Sequence, residues 1–231
     1  MTADSDSRAR RRAESRWPAS AAILVAVALN VAGHSADTSV VRLVAAGITL
    51  ALLVPLFVVN PHRLDSETRW SRGVSIALAV VLAVANQVNV VAVVIDLVDG
   101  TADGPPLLLT ALQVWVTNVV AYALLFWELD RGGPVARGTL PRTELPAADF
   151  AFPQDTYRDT APEVAATSSE RADWRPGFVD YLSVSTTNTM AFSPTDTMPL
   201  SSRMKLLMIA EAFTGFVLLA LVISRAVNIL S

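Results

Sequence analysis

Glu211 and Arg225 fall inside a long apolar stretch at residues 206–230. An ionisable side chain in such a setting faces protein or water, and by default it is a candidate for handling ions or protons. For Glu211 two roles stand open: a buried structural hydrogen bond, or a place on a water-filled pathway. Amides gather in the preceding apolar stretches. Asn86 and Asn89 are three residues apart, hence on one helical face, with Gln87 beside them; Asn118 follows Thr117, with Gln113 nearby. Amides that meet across helices act as interhelical glue worth about 0.6–2 kcal/mol, and packing is the role expected here. A third set, Thr187, Asn188, Thr189, Ala191, Phe192, Ser193, Pro194, Thr195 and Asp196, brings hydroxyls, an amide and a carboxylate into a stretch with little charge. Backbone carbonyls and acidic side chains in such a segment can replace part of an ion's hydration shell.

Enzymatic chemistry finds no footing. With no cysteine there is no disulfide, thiolate nucleophile or thiolate metal site. The two histidines, His34 and His62, fall on different loops. No Gly-rich phosphate loop, His-Glu-x-x-His helix or Gly-x-Ser-x-Gly elbow occurs. We therefore expect no enzyme, no cofactor and no metal.

These residues need elements to hold them, and the elements are apolar runs at 17–33, 43–59, 74–95, 106–127 and 206–230. A helix needs roughly 20 apolar residues to cross about 30 Å of hydrocarbon. Three of the runs meet that length, while the first two sit at its lower edge. Five such runs in 231 residues, in a chain that is 52% hydrophobic and 17% charged, predict an all-α polytopic membrane protein whose solvent is lipid.

Charge sets the expected orientation. Arg8, Arg10, Arg11, Arg12 and Arg16 precede the first run, and Arg63, Arg69 and Arg72 lie between the second and third. The alternate loops carry no base, and Asp96, Asp99 and Asp103 occupy one of them. By the positive-inside bias the N-terminus is cytoplasmic, as is the loop holding Arg131, Arg137 and Arg142. The arginine tail meets anionic lipid rather than nucleic acid. Arg42 and Lys205 sit at helix ends and can snorkel to headgroups.

Four regions result: a basic cytoplasmic tail at 1–16, a four-helix transmembrane region at 17–127, a polar extramembrane loop at 128–175, and a pore-loop-like segment with the last helix at 176–231. The loop reads as mostly irregular, broken at Gly132-Gly133-Pro134 and pinned by Phe150, Phe152, Tyr157 and Trp174, with a disordered linker at 156–169 as the alternative. Trp127 belongs in an interfacial belt, and beyond it Glu128 and Asp130 pair with Arg131 or bind a cation. The stretch 178–200 is too polar to face lipid and too lightly charged for an ordinary loop. It reads as a short helix to about Thr189, capped by Asp180, then a turn at Ser193-Pro194: a re-entrant element, or else a helix lying on the membrane surface.

Two resemblances bear on these readings. The chain from Asp180 through Asp196, Pro199, Glu211, Ala212 and Gly215 to Arg225 resembles the pore module of two-helix prokaryotic potassium channels, in which a pore helix, a Thr-Val-Gly-Tyr-Gly-Asp filter and an inner helix follow one another. Phe192, Ser193, Pro194 and Thr195 stand where that filter has Val-Gly-Tyr-Gly. Proline fixes its own φ and restrains the residue before it, which implies a filter that is not the standard potassium one. That resemblance also implies an outward-facing filter, opposite to the orientation the arginines imply. The second resemblance covers nearly the whole chain. Ser15-Arg16-Trp17-Pro18, Asn60-Pro61-His62-Arg63-Leu64, the octapeptide from Trp127 to Pro134, Asp149-Phe150-Ala151-Phe152-Pro153-Gln154 and the segment from Phe192 to Leu200 are similar to bacterial integral membrane proteins that carry a domain of unknown function, DUF1345. That likeness implies architecture and a bacterial cell membrane, with no activity attached.

The expected function is therefore an ion-channel-like or small-solute pore in a homo-oligomer, its partners being membrane lipid and its own copies. The alternative is a non-conducting scaffold or sensor that binds a partner through 128–175. Both are multi-pass proteins of the cell membrane.

Overall fold

The computed structural model describes residues 14–15, 17–32, 47, 51, 68–99, 104–156, 161–191 and 196–230. The apolar run at 43–59 falls outside the described residues apart from Gly47 and Ala51, and so do Arg42, His34, His62, Tyr157 and the turn residues Phe192, Ser193, Pro194 and Thr195.

Five helices dominate: α1 (Trp17–Ala32), α2 (Arg69–Asp99), α3 (Gly104–Leu129), α7 (Phe178–Ala191) and α8 (Ser202–Leu230), with the short α4 (Pro134–Thr139), α5 (Pro153–Thr156) and α6 (Pro162–Ala165) between α3 and α7. Their ends have local causes. At the start of α2, Thr68 Oγ1 accepts from Ser71 N at 3.1 Å while Ser71 Oγ accepts from Thr68 N at 2.9 Å, a reciprocal cap that satisfies two orphan donors. Pro105 and Pro106 open α3, where a missing N–H costs nothing. Beyond α3 the chain turns through Gly132 and Gly133 at φ 82° and 92°, a region that glycine enters without a Cβ clash. Asp180 Oδ2 reaches back to accept from Gly177 N at 2.8 Å, so its expected capping role at α7 is the observed one.

Among the described residues, α2, α3 and α8 are long and apolar enough to cross a membrane. α1 is apolar but has only 16 residues. The pattern of exposure is inverted relative to a protein in water. Val80, Val84, Val88, Val91 and Ile95 on α2 and Leu206, Ile209, Phe213, Phe216, Ile223 and Val227 on α8 form exposed apolar stripes. Asn86, Asn118, Ser185, Thr189 and Glu211 are buried. A lipid environment favours that arrangement and water does not.

Helix α3 is the centre. It packs against α1, α2, α7 and α8, and residues 119–127 are enclosed on every side. Around this stretch lies the larger core, where Phe126, Phe150, Phe152, Phe178, Tyr181 and Met204 meet edge to face or side by side. A smaller core of Val90, Val93, Leu97, Val114 and Leu218 fills the opposite end.

Among its described residues the segment 128–175 is a cap on one end of the bundle, pinned at Phe150, Phe152 and Trp174 as expected but with more short helix than the mostly irregular loop expected. Three short helices and two 3-10 turns fold over α3, and β1 (Phe150–Ala151) pairs antiparallel with β2 (Met198–Pro199), Phe150 opposite Pro199 and Ala151 opposite Met198. Residues 161–169 are ordered into it: Ser169 N donates to Gln154 O at 2.9 Å. The reason is aromatic. Phe150 and Phe152 point inward onto Tyr181 and Phe126, and Trp174 closes over Phe152. Glu14, Thr68, Arg72 and the first turn of α8 all lie at this same capped end.

Candidate functional site

Helix α7 starts in the cap and runs down beside α3 and α8. Its start is moored by Glu14, whose Oε1 accepts from Phe178 N at 2.5 Å and whose Oε2 accepts from Trp127 Nε1 at 2.9 Å. Burial pushes the Glu14 carboxyl above its usual range even though these two donors pull the other way. One face of α7, made of Phe178, Tyr181, Val184, Ser185, Asn188 and Thr189, is buried. The opposite face carries the exposed Val179, Ser183 and Met190 with half-buried Thr187.

The chain leaves this layer by the end at which it came in. Asp196 and Thr197 stand beside Asp180, Ser183 and Thr187, with Gln154 of the cap, around a groove of about 170 Å³. The next residues pair with β1, and Leu200 N donates to Asp149 O at 2.7 Å. Of the residues singled out in the sequence, the structure thus brings Thr187 and Asp196 to one groove, while Asn188 and Thr189 turn to the other face of the helix.

That other face meets Glu211. The carboxyl is fully buried on α8, and Ser185, Asn188 and Thr189 converge on it: Asn188 Nδ2 donates to Oε2 at 2.7 Å, Thr189 Oγ1 lies 3.2 Å from Oε1, and Ser185 Oγ contacts Oε1. Asn188 Nδ2 also donates to Met208 O at 2.9 Å, and Ser185 Oγ lies 2.8 Å from Val119 O, so α3, α7 and α8 are tied at one point. Close approach is possible because α8 has Gly215 against Thr189. Of the two roles open for Glu211, the buried hydrogen-bonded one is what the structure displays.

Beside this cluster the amides form a layer between α2 and α3. Asn86 Nδ2 donates to Asn118 Oδ1 at 3.1 Å, Gln87 Nε2 donates to the same oxygen at 3.3 Å, and Thr214 of α8 joins through Gln87 Oε1 at 3.4 Å. The packing role expected of these amides is realised, with Asn89 buried one turn beyond Asn86. Arg225 lies 14 residues past Glu211, about 21 Å along α8 at a rise of about 1.5 Å per residue, and shares no group with it.

The cap holds an ion-pair network that sequence reading reached only at its edge. Asp130, fully buried, accepts from Asp149 N at 2.7 Å and from the Tyr181 hydroxyl, and Arg131 Nε lies 3.6 Å from its Oδ2. The expected pair of Asp130 with Arg131 is present, but Asp155 is the closer partner. Burial alone would raise the Asp155 carboxyl; Arg131, Ser169 and the Phe152 N–H outweigh it and hold the group below its usual value. Arg137 donates to Asp130 O at 2.6 Å and lies over the Tyr181 ring. No short-range pattern links Asp130 to a tyrosine 51 residues on. Ser185 had a signal, since it shares a helical face with Asn188 and Thr189.

Among the described residues no three His, Asp or Glu side chains stand close enough to hold a metal ion. Comparison of the chain with protein-family models, with curated proteins and with solved structures gives no match in any of the three.

Proposed function

We propose that this chain is one subunit of a homo-oligomeric pore-loop protein of the bacterial cell membrane, with five spans, a cytoplasmic N-terminus, and α7 with its return segment as a re-entrant element beside a path for a small ion or solute. The observation that carries the reading is the pair of hydroxyls, Ser183 and Thr187, set on the outward face of α7 between the exposed Val179 and Met190. Ser183 and Thr187 stand across a groove from Asp196 and Thr197, whereas α2 and α8 present apolar stripes outward. Hydroxyls and a carboxylate gathered beside the cap, where α7 leaves it, call for water or a protein surface in front of them. The groove is open on one side, so a second copy of the chain is needed to enclose it.

The chain order of α3, cap, α7, return segment and α8 matches the pore-module resemblance, and the family resemblance fits a multi-pass protein. Arg72, Arg131 and Arg137 lie at the capped end, which the positive-inside bias assigns to the cytoplasm. The pore loop then enters from the cytoplasmic face, inverted relative to potassium channels, and Pro194 removes the standard potassium filter. The test is flux through liposomes holding the purified protein. Transport of a small cation, anion or solute, reduced in Thr187→Leu and Asp196→Ala, is the expected result. Absence of flux for every class of solute from folded protein overturns it in favour of a scaffold or sensor working through the cap.

A further inference from the structure

We infer that Glu211 is a proton-binding site: its carboxyl carries a proton in this structure, and that proton completes the latch joining α7 to α8. A count of hydrogens carries this, independently of the pore reading. Ser185 has one hydroxyl hydrogen and two oxygen neighbours, Val119 O at 2.8 Å and Glu211 Oε1. Thr189 likewise has one hydrogen for Ser185 O at 2.9 Å and Glu211 Oε1 at 3.2 Å. The two amide hydrogens of Asn188 are committed to Met208 O at 2.9 Å and Glu211 Oε2 at 2.7 Å. Six oxygen-directed contacts are thus served by four hydrogens.

A backbone carbonyl can only accept, whereas a carboxyl can also donate, so the Ser185 hydrogen is assigned to Val119 O and the Thr189 hydrogen, along its shorter contact, to Ser185 O. Glu211 Oε1 is then left against the lone pair of Ser185 Oγ. A proton on Oε1, donated to Ser185 Oγ, raises the served contacts to five, acid to serine, serine to the α3 backbone, and asparagine to the other carboxyl oxygen, and leaves over only the longest, Thr189 Oγ1 to Oε1 at 3.2 Å. Removing that proton to water turns the Ser185 hydrogen toward the carboxylate, withdraws it from Val119 O, and leaves a negative charge fully buried between three helices.

No compensating cation is at hand. Every group bonded to Glu211 is uncharged among the described residues. The titratable neighbour that feels its charge is Tyr122 of α3, while α2 contributes the uncharged Gln87 through Thr214. Of the described charged side chains on the packed elements, Arg72 and Asp96 on α2, Glu128 on α3, Asp180 on α7, and Arg203, Lys205 and Arg225 on α8, none hydrogen-bonds to it.

Isotope-edited infrared spectroscopy of the full chain in lipid nanodiscs, with ¹³C-labelled glutamate, tests this. At neutral pH a protonated-carboxyl C=O band is expected that disappears in Glu211→Gln and moves to higher frequency in Ser185→Ala, where the acid loses its acceptor. The Gln variant keeps an N–H donor in place of the acid O–H, and its melting temperature should stay near wild type. Glu128 is a second buried glutamate and Glu14 a half-buried one, so the spectra are repeated on Glu128→Gln and Glu14→Gln. A wild-type spectrum with no such band at neutral pH, or a band that Ser185→Ala leaves unmoved, overturns the inference even if Glu211→Gln fails to fold.

Discussion

Replacing Gly215 with alanine sets two effects of known size against each other at the α7–α8 crossing. In a helix interior, alanine is favoured over glycine by about 1 kcal/mol. Against this, a Cβ at position 215 would stand 2.4 Å from Thr189 Cγ2 and 3.2 Å from Thr189 O. Real Cβ atoms do not approach a methyl carbon that closely, so something must move. Turning the Thr189 side chain lifts its hydroxyl from Ser185 O and Glu211 Oε1, at about 0.5–1.5 kcal/mol for each buried bond. Sliding the helices apart instead incurs the overpacking cost of about 1–3 kcal/mol. Taking the middle of these ranges, about 2 against about 1 kcal/mol, the clash wins, and Gly215→Ala should be less stable by about 1 kcal/mol despite its better helix propensity. Unfolding by titrated SDS in mixed micelles, followed by tryptophan fluorescence, reads this difference. Thr189→Ser removes Cγ2 and keeps the hydroxyl, so in a double-mutant cycle it should recover about 1 kcal/mol of the Gly215→Ala loss. A Gly215→Ala protein as stable as wild type, or a cycle with no coupling, would refute the geometry of this crossing and with it the setting of Glu211.

The cap offers three further tests. Asp155→Asn leaves Arg131, whose side chain is 8% exposed, without its closest carboxylate, and should cost about 3 kcal/mol in the same unfolding assay. Because Asp155 is held below its usual value, its contribution is complete above about pH 4 and disappears as pH falls through the folded-state value; melting curves at acid pH should show wild type converging on the variant. Tyr181→Phe strips a hydroxyl from the buried Asp130 Oδ2 and should destabilise by about 1–3 kcal/mol, a value near zero being incompatible with the bond. Glu14 shifts the opposite way, so its share of stability is largest below about pH 4 and declines as pH rises through its raised value; Glu14→Gln should flatten that part of the pH profile.

Much of the scaffold was legible from local pattern. Apolar runs at 74–95, 106–127 and 206–230 lie inside α2, α3 and α8, and the polar helix expected to end near Thr189 runs to Ala191. Asn86, Asn118 and Glu211 stood out because a polar side chain in an apolar run is expensive wherever the run is buried. In the cap, the pinning expected at Phe150, Phe152 and Trp174 is present, and what local pattern did not show is how much short helix it orders. The cap's prolines and glycines do break long helices, but Phe150, Phe152 and Trp174 gain enough by burial against α3 and α7 to order the short pieces between them.

What the sequence by itself determined is which segments seek lipid and which polar residues must be enclosed among them, since these follow from side-chain type and a helical period. Only the tertiary structure decided the partners. Glu14 meets Phe178 across 164 residues, Tyr181 meets Asp130, and Ser185, Asn188 and Thr189 close on Glu211, because helix packing, and not chain separation, sets which donors and acceptors come within about 3 Å.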